Sequence, residues 1–206
     1  DENIEQGKEA FSEFGDVIFS HGRKITNSML KDADALIVRS ITNVNKELLE
    51  NTSVKFVGTA TIGMDHLDLE YLNNNDIYFT SAAGCNAFAV AEYVLTAVYR
   101  LASKHNFKTE NKKFGIIGFG NIGKKLAKFA KALGFEVIIN DPPLEDEGYN
   151  ETFSSLDEIL DCDIITCHVP LNKEGKYKTV HLLDEEKLKR LKDGTILINS
   201  SRGPVV

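Results

Sequence analysis

The sequence predicts an α/β fold of two parallel-sheet domains, both incomplete in this chain. Three observations carry this. Short apolar runs alternate with amphipathic segments from one end to the other, the pattern of parallel strands covered by helices. A glycine-rich loop leaves one of these runs and opens a helical pattern. A carboxylate closes the run that follows. The 206 residues are enough for one large domain or two small ones, each able to bury a core without disulfides or metals. The formal net charge of -7 argues against nucleic acid as a bulk partner, because phosphate backbones want clustered Lys and Arg. A small anionic substrate needs only a local cationic pocket and stays open.

Residues 4–14 and 68–74 show helical spacing, and 16–20, 35–39, 54–58 and 77–80 read as short buried strands. A strand before Asp1 is expected in such a unit. The longest helical pattern runs over 86–105, with Ala87, Val90, Val94, Val98 and Leu101 on one face and Asn86 as its N-cap. This helix is expected to cross from the first unit to the second, and the polar run 104–113 to form a surface connection. Then follow a strand at 114–118, a helix at 121–133 stopped by Gly134, and strands at 136–140, 163–167 and 195–199, with a helix at 184–191. Asp65-His66 reads as part of a helix start.

Cys85, Cys162 and Cys167 are odd in number and form no CxxC, so neither a disulfide framework nor a zinc site is expected. A reducing compartment, the cytoplasm, is the natural expectation. His21, His66, His105 and His181 show no metal spacing, and no metal is assigned. No stretch approaches the roughly 20 apolar residues that span a bilayer, so no membrane partner is expected. The chain starts without Met and stops at Gly203-Pro204-Val205-Val206, straight after an apolar run, so a fragment cut at both ends is expected.

The loop is Gly118-Phe119-Gly120-Asn121-Ile122-Gly123. A bare GxGxxG says little, but this one follows an expected strand and begins an expected helix. Gly118 suits the tight turn, Gly120 lets backbone approach a pyrophosphate, and Gly123 permits close packing of helix on sheet. The N–H groups and positive dipole end at Asn121 and Ile122 face such phosphates. Asp141 ends the next strand, where its carboxylate can accept from both hydroxyls of an adenosine ribose. It would repel a 2′-phosphate, and Pro142-Pro143 offer no Arg to hold one, so the cofactor expected of this Rossmann-like domain is NAD rather than NADP.

Open parallel sheets bind ligands beyond the carboxyl ends of their strands. Arg39 and Ser40 end one strand, Thr59 and Thr61 stand in the loop after another, and Asn86 precedes the long helix. Together they offer a cation, hydroxyl donors and a helix N-terminus to a small anionic substrate; equally, such residues serve as turns and caps. Arg202 follows the last strand, where it could hold a substrate carboxylate and polarise a carbonyl during hydride transfer, or be a surface arginine before a Gly-Pro turn. His168 ends another strand, in His168-Val169-Pro170-Leu171, with nothing beside it to form a triad.

These stretches together resemble the D-2-hydroxyacid dehydrogenase family: the glycine loop, the Asp after it, His168-Val169-Pro170-Leu171 and the Asn199-Ser200-Ser201-Arg202-Gly203-Pro204-Val205-Val206 ending. Further patterns, among them Val38-Arg39-Ser40, Gly58-Thr59-Ala60-Thr61, Gly84-Cys85-Asn86 and Tyr177-Lys178-Thr179, resemble a subgroup acting on a phosphorylated 2-hydroxy acid. One departure is Ala83, where the subgroup usually has Pro. The resemblance implies two Rossmann-like domains: a flavodoxin-like substrate-binding domain over 1–86, an interdomain helix over 87–105 and an NAD-binding domain over 106–206. It implies Arg202 as the catalytic arginine, Ser40 and Thr61 on the substrate, Asp141 on the ribose, and Val169 and Ser200 on NAD. It also implies a Glu and a His beyond Val206 for proton exchange, and a homodimer when intact; this chain alone is expected to be inactive. Two alternatives stand beside it: a sister dehydrogenase acting on 3-phosphoglycerate or a glyoxylate-like acid, and a non-catalytic NAD-sensing module on the same fold.

Overall fold

A computed structural model describes residues 1–206. The chain divides into two compact units, Asp1–Cys85 and Asn86–Val206. In the first, a short helix α1 (Gly7–Phe11) precedes the parallel strands β1 (Ala35–Val38), β2 (Phe56–Thr59) and β3 (Tyr78–Ser81), hydrogen-bonded in that order. Helices α2 (Lys46–Leu49) and α3 (Leu69–Asn74) form the connections, capped by the side chains of Asn45 and Asp68, which accept from Leu48 N–H and Tyr71 N–H. Val38, Val44, Val57 and Leu72 are fully buried in this core, each stabilising the unit by about 1.5–3 kcal/mol.

Three expectations fail here. Residues 16–20 form no strand: Ile18 is 83 % exposed, and the backbone's recorded contact is Ser20 C=O accepting from Glu2 N–H at 2.9 Å. An apolar run becomes a strand only where a neighbour completes its ladder. The helix expected over 4–14 shrinks to α1, whose one buried residue is Gly7; with no apolar face to bury, so short a helix has little to hold it. Asp65-His66 likewise starts no helix. They lie in a turn, and α3 begins beyond Asp68.

The second unit opens with α4 (Ala87–Lys104) and carries β4 (Lys113–Ile117), α5 (Asn121–Ala132), β5 (Glu136–Asn140), α6 (Pro142–Asp146), α7 (Leu156–Leu160), β6 (Ile164–Cys167), α8 (Glu185–Lys189) and β7 (Ile196–Asn199). All pairings are parallel, in the order β5-β4-β6-β7. On one sheet face Val94 and Val98 of α4 and Leu126 and Ala130 of α5 pack with Phe114 and Ile116. On the other, Ile159 and Leu160 of α7 join Ile117, Ile165, Leu183 and Val205. The helix read as a connection thus buries its apolar face within this unit. The chain steps from β4 to β5 on one side, then returns to place β6 on the other side of β4. The carboxyl ends of β4 and β6 therefore flank the topological switch point, where such sheets bind ligands. No helix is long and apolar enough to cross a membrane.

Candidate functional site

The glycine loop leaves β4 at this switch point. Gly118 adopts φ +95°, a region that L side chains rarely enter, and a Cβ there would stand 2.8 Å from the carbonyl oxygen of His168, just past β6. The two loops are therefore in contact. A Cβ on Gly123 would lie 2.1 Å from the Gly118 carbonyl oxygen, so the absence of a side chain is what lets α5 start this close to β4. A Cβ on Gly120 meets nothing within 4 Å. The space above Gly120 is open, and beside it the first-turn N–H groups of Asn121, Ile122 and Gly123 have no intrahelical carbonyl to reach. An open approach, unpaired helix-start donors and a positive dipole end together fit a pyrophosphate.

Asp141 braces this loop. One carboxylate oxygen accepts from Phe119 N–H at 2.7 Å and the other from Leu144 N–H at 3.1 Å, capping α6. Each oxygen keeps a lone pair for a ribose hydroxyl. Pro142 and Pro143 begin α6, where a missing N–H costs least, and Glu145 in its first turn adds negative charge that disfavours a 2′-phosphate. The intervening residue of the loop, Phe119, is 6 % exposed and meets Tyr149 and Phe153 edge-on. That aromatic anchor was missed in the sequence, although an aromatic between the first two glycines was visible.

The ends of β6 and β7 are stitched together by side chains. Ser201 Oγ accepts from Val169 N–H at 2.9 Å. Ser200 Oγ donates to the Cys167 carbonyl at 3.2 Å and lies 2.7 Å from His168 Nδ1. Both contacts are satisfied at once only if Nδ1–H donates to Ser200, which leaves Nε2 as a bare acceptor. Nε2 is buried without a hydrogen-bond partner. Asn199 Oδ1 accepts from Ser201 N–H at 2.9 Å, and its Nδ2 donates to the Arg202 carbonyl at 3.0 Å, holding the turn that presents Arg202. Asn199, Ser201 and the pair Asn172 and Thr179, whose hydroxyl accepts from Asn172 N–H at 2.7 Å in the following loop, are site-shaping residues not picked out from the sequence. Asn199 could have been found as an Asx turn directly after a strand.

Burial pushes the His168 imidazole down to about 4. The unfolded chain, with a histidine near 6.5, takes up this proton first. Stability is therefore complete above about pH 6.5 and falls as pH drops towards 4, by on the order of 2–3 kcal/mol from this group. Urea midpoints at pH 7 and pH 5 should show the decline, and His168→Leu should flatten it. An unchanged slope in that variant would mean His168 is solvated.

In the first unit, Arg39 and Ser40 directly follow β1, and Thr59 ends β2 beside it. Arg39 is half-exposed and its Nε lies 3.3 Å from Asp1 Oδ2. Ser40 is exposed. Thr59, 3 % exposed, lies 2.8 Å from Thr61 Oγ1 and 3.0 Å from His66 Nε2 through its own Oγ1. These four residues thus share the carboxyl end of one sheet. Asn86 sits at the N-cap position of α4, exposed, with no side-chain cap hydrogen bond, so its expected capping role is not made. Its φ of -98° and ψ of 5° lie outside the extended region in which an N-cap side chain reaches its amides.

Residues 87–206 match the NAD binding domain of the D-isomer specific 2-hydroxyacid dehydrogenases. Over 207 aligned residues the chain is 50% identical to the erythronate-4-phosphate dehydrogenase of Citrobacter koseri and 48% identical to that of Cronobacter sakazakii. Each match covers 100% of this chain and 55% of the relative, so the chain spans about half the length of these curated relatives. Among solved structures, the NAD complex of the NAD-dependent formate dehydrogenase of Staphylococcus aureus superposes with a TM-score of 0.79 at 25% identity, over 97% of this chain and 67% of that one.

Proposed function

This chain belongs to the D-isomer specific 2-hydroxyacid dehydrogenases, and from that premise we propose that the protein oxidises 4-phospho-D-erythronate at C2 to the 2-oxo acid with NAD, a step of pyridoxal 5′-phosphate biosynthesis. The observation that carries the substrate is the 48–50% identity to erythronate-4-phosphate dehydrogenases over the whole chain, the polar loops of the first unit included.

When bound, the cofactor supplies a hydride acceptor for the hydrogen on C2. The loop from Gly118 to Gly123 would hold it with open backbone at Gly120 and donors at Asn121 and Ile122, and Asp141 would accept from the adenosine ribose. Val169 and Ser200, beyond the ends of β6 and β7, would contact it. The bare, buried Nε2 of His168 supports a place in the same contact, because a hydrogen-bond donor there would satisfy an otherwise unpaired acceptor. Arg202 holds the substrate carboxylate and polarises the oxygen on C2 as it becomes a carbonyl. Arg39, Ser40, Thr59, Thr61 and Asn86 are assigned to binding the anionic substrate. The hydroxyl proton needs a base, which in this family is a His oriented by a Glu. We assign the full-length protein to a cytoplasmic homodimer. Burial pushes the Cys162 and Cys167 thiols up to about 11 and about 12, so neither is a reactive thiolate at neutral pH.

The test is NADH formation by the protein at its relatives' length, with 4-phospho-D-erythronate and 3-phosphoglycerate offered in parallel. Faster turnover of the first is expected. Preference for 3-phosphoglycerate would overturn the substrate, and NAD binding without turnover of any 2-hydroxy acid would favour a sensor.

A further inference from the structure

His66 has no part in the function proposed above, yet it closes a chain of side chains that ends at Thr61. His66 is 7 % exposed and its backbone is pinned. The His66 carbonyl accepts from Val44 N–H at 2.8 Å, Asp68 N–H donates to the Val44 carbonyl at 2.8 Å, and Val44 and Leu67 form a parallel bridge. From this fixed position Nε2 lies 3.0 Å from Thr59 Oγ1, which lies 2.8 Å from Thr61 Oγ1. Thr59 is buried and Thr61 half-buried, so the chain runs from the interior outwards.

Each hydroxyl has one proton to give. If Nε2 carries hydrogen, it donates to Thr59, Thr59 donates to Thr61, and the Thr61 proton is left to point outwards. Its recorded acceptor, the Gly63 carbonyl, is at 3.5 Å, a stretched contact that a better acceptor would displace. If Nε2 is bare, every bond reverses: Thr61 donates inwards and shows only lone pairs to whatever it faces. An oxyanion can be held in the first arrangement and is repelled in the second. We propose that His66 is a positioning residue which, by keeping its proton on Nε2, makes the Thr61 hydroxyl a committed donor to an oxygen of the anionic substrate. This rests on the reading that Thr61 faces that substrate.

The test is the kinetics of the full-length protein with 4-phospho-D-erythronate. His66→Phe keeps a flat ring but removes the donor, and is expected to raise KM about tenfold with kcat within about twofold, as for loss of one hydrogen bond to a charged group. His66→Gln restores an N–H donor and should recover most of the affinity. Thr61→Val should match His66→Phe, and the double variant should be no worse than either single one, because both remove the same bond. Additive losses, or a normal KM in His66→Phe beside a raised one in Thr61→Val, would overturn the role of His66 while leaving Thr61 on the substrate. A normal KM in Thr61→Val would remove the underlying reading, and the proposal with it. Should His66→Phe fail to fold, imidazole ¹⁵N spectra of the unmutated protein decide directly: a protonated Nε2 is expected at neutral pH, and a bare Nε2 contradicts the proposal.

Discussion

Arg202→Ala, in the full-length protein, is expected to lower kcat by about 10²–10³-fold, the loss that follows removal of a group aimed at charge developing in the transition state. Arg202 is half-exposed at the head of a short turn, Gly203–Val205. Asn199 Nδ2 donates to the Arg202 carbonyl at 3.0 Å and fixes its backbone. A thermal melt of the variant, run beside the kinetics, separates lost chemistry from lost fold. Arg202→Lys keeps the charge but not the planar fork that matches a carboxylate, and only partial activity is expected. A kcat within a fewfold of the parent's in the alanine variant would remove Arg202 from the reaction.

Gly123→Ala is expected to be the most damaging small substitution for stability. The new methyl would stand 2.1 Å from the Gly118 carbonyl oxygen, a backbone atom that cannot step aside without moving α5 off β4. Overpacking of this kind costs roughly 1–3 kcal/mol or more, read as a clear fall in the urea midpoint. Gly120→Ala offers the contrast. Nothing lies within 4 Å of its Cβ, so stability should be retained while the methyl occupies the approach of the pyrophosphate, and NAD affinity should fall by tenfold or more. Equal thermal stability in the two variants would show that the third glycine is not a packing glycine.

Much of this was legible in the sequence, and the exceptions have physical causes. All seven observed strands lie within two residues of an expected one, because each is written as a short run between loop residues, whether fully buried like β6 or half-exposed like β3. Residues 16–20 carry the same local pattern and form no strand, since pairing is a property of the neighbour rather than of the segment. The helix α7 went unread although Ser155 and Glu158 form a capping box, the S-x-x-E pattern that announces a helix start. In the site, the three glycines were readable because each answers a backbone demand that no other residue meets. The roles of His66, Asn199 and Ser201 were not. They depend on which hydroxyl or amide lies within 3 Å of which partner, across up to 32 residues of chain. Asp141 was read as a ribose ligand, and its structural work, bracing Phe119 N–H and capping α6, emerged only from the fold.

We propose that NAD lies across the carboxyl ends of β4 and β6, held by the glycine loop and selected over NADP by Asp141. Backbone amide NMR of this chain, titrated with NAD and then with NADP, tests it most directly. NAD is expected to shift the amides of Gly120, Asn121 and Ile122 together with those of Val169 and Ser200, and NADP to produce the same shifts only at much higher concentration. Equal response to the two cofactors, or NAD-induced shifts that leave the loop from Gly118 to Gly123 unmoved, would contradict the account.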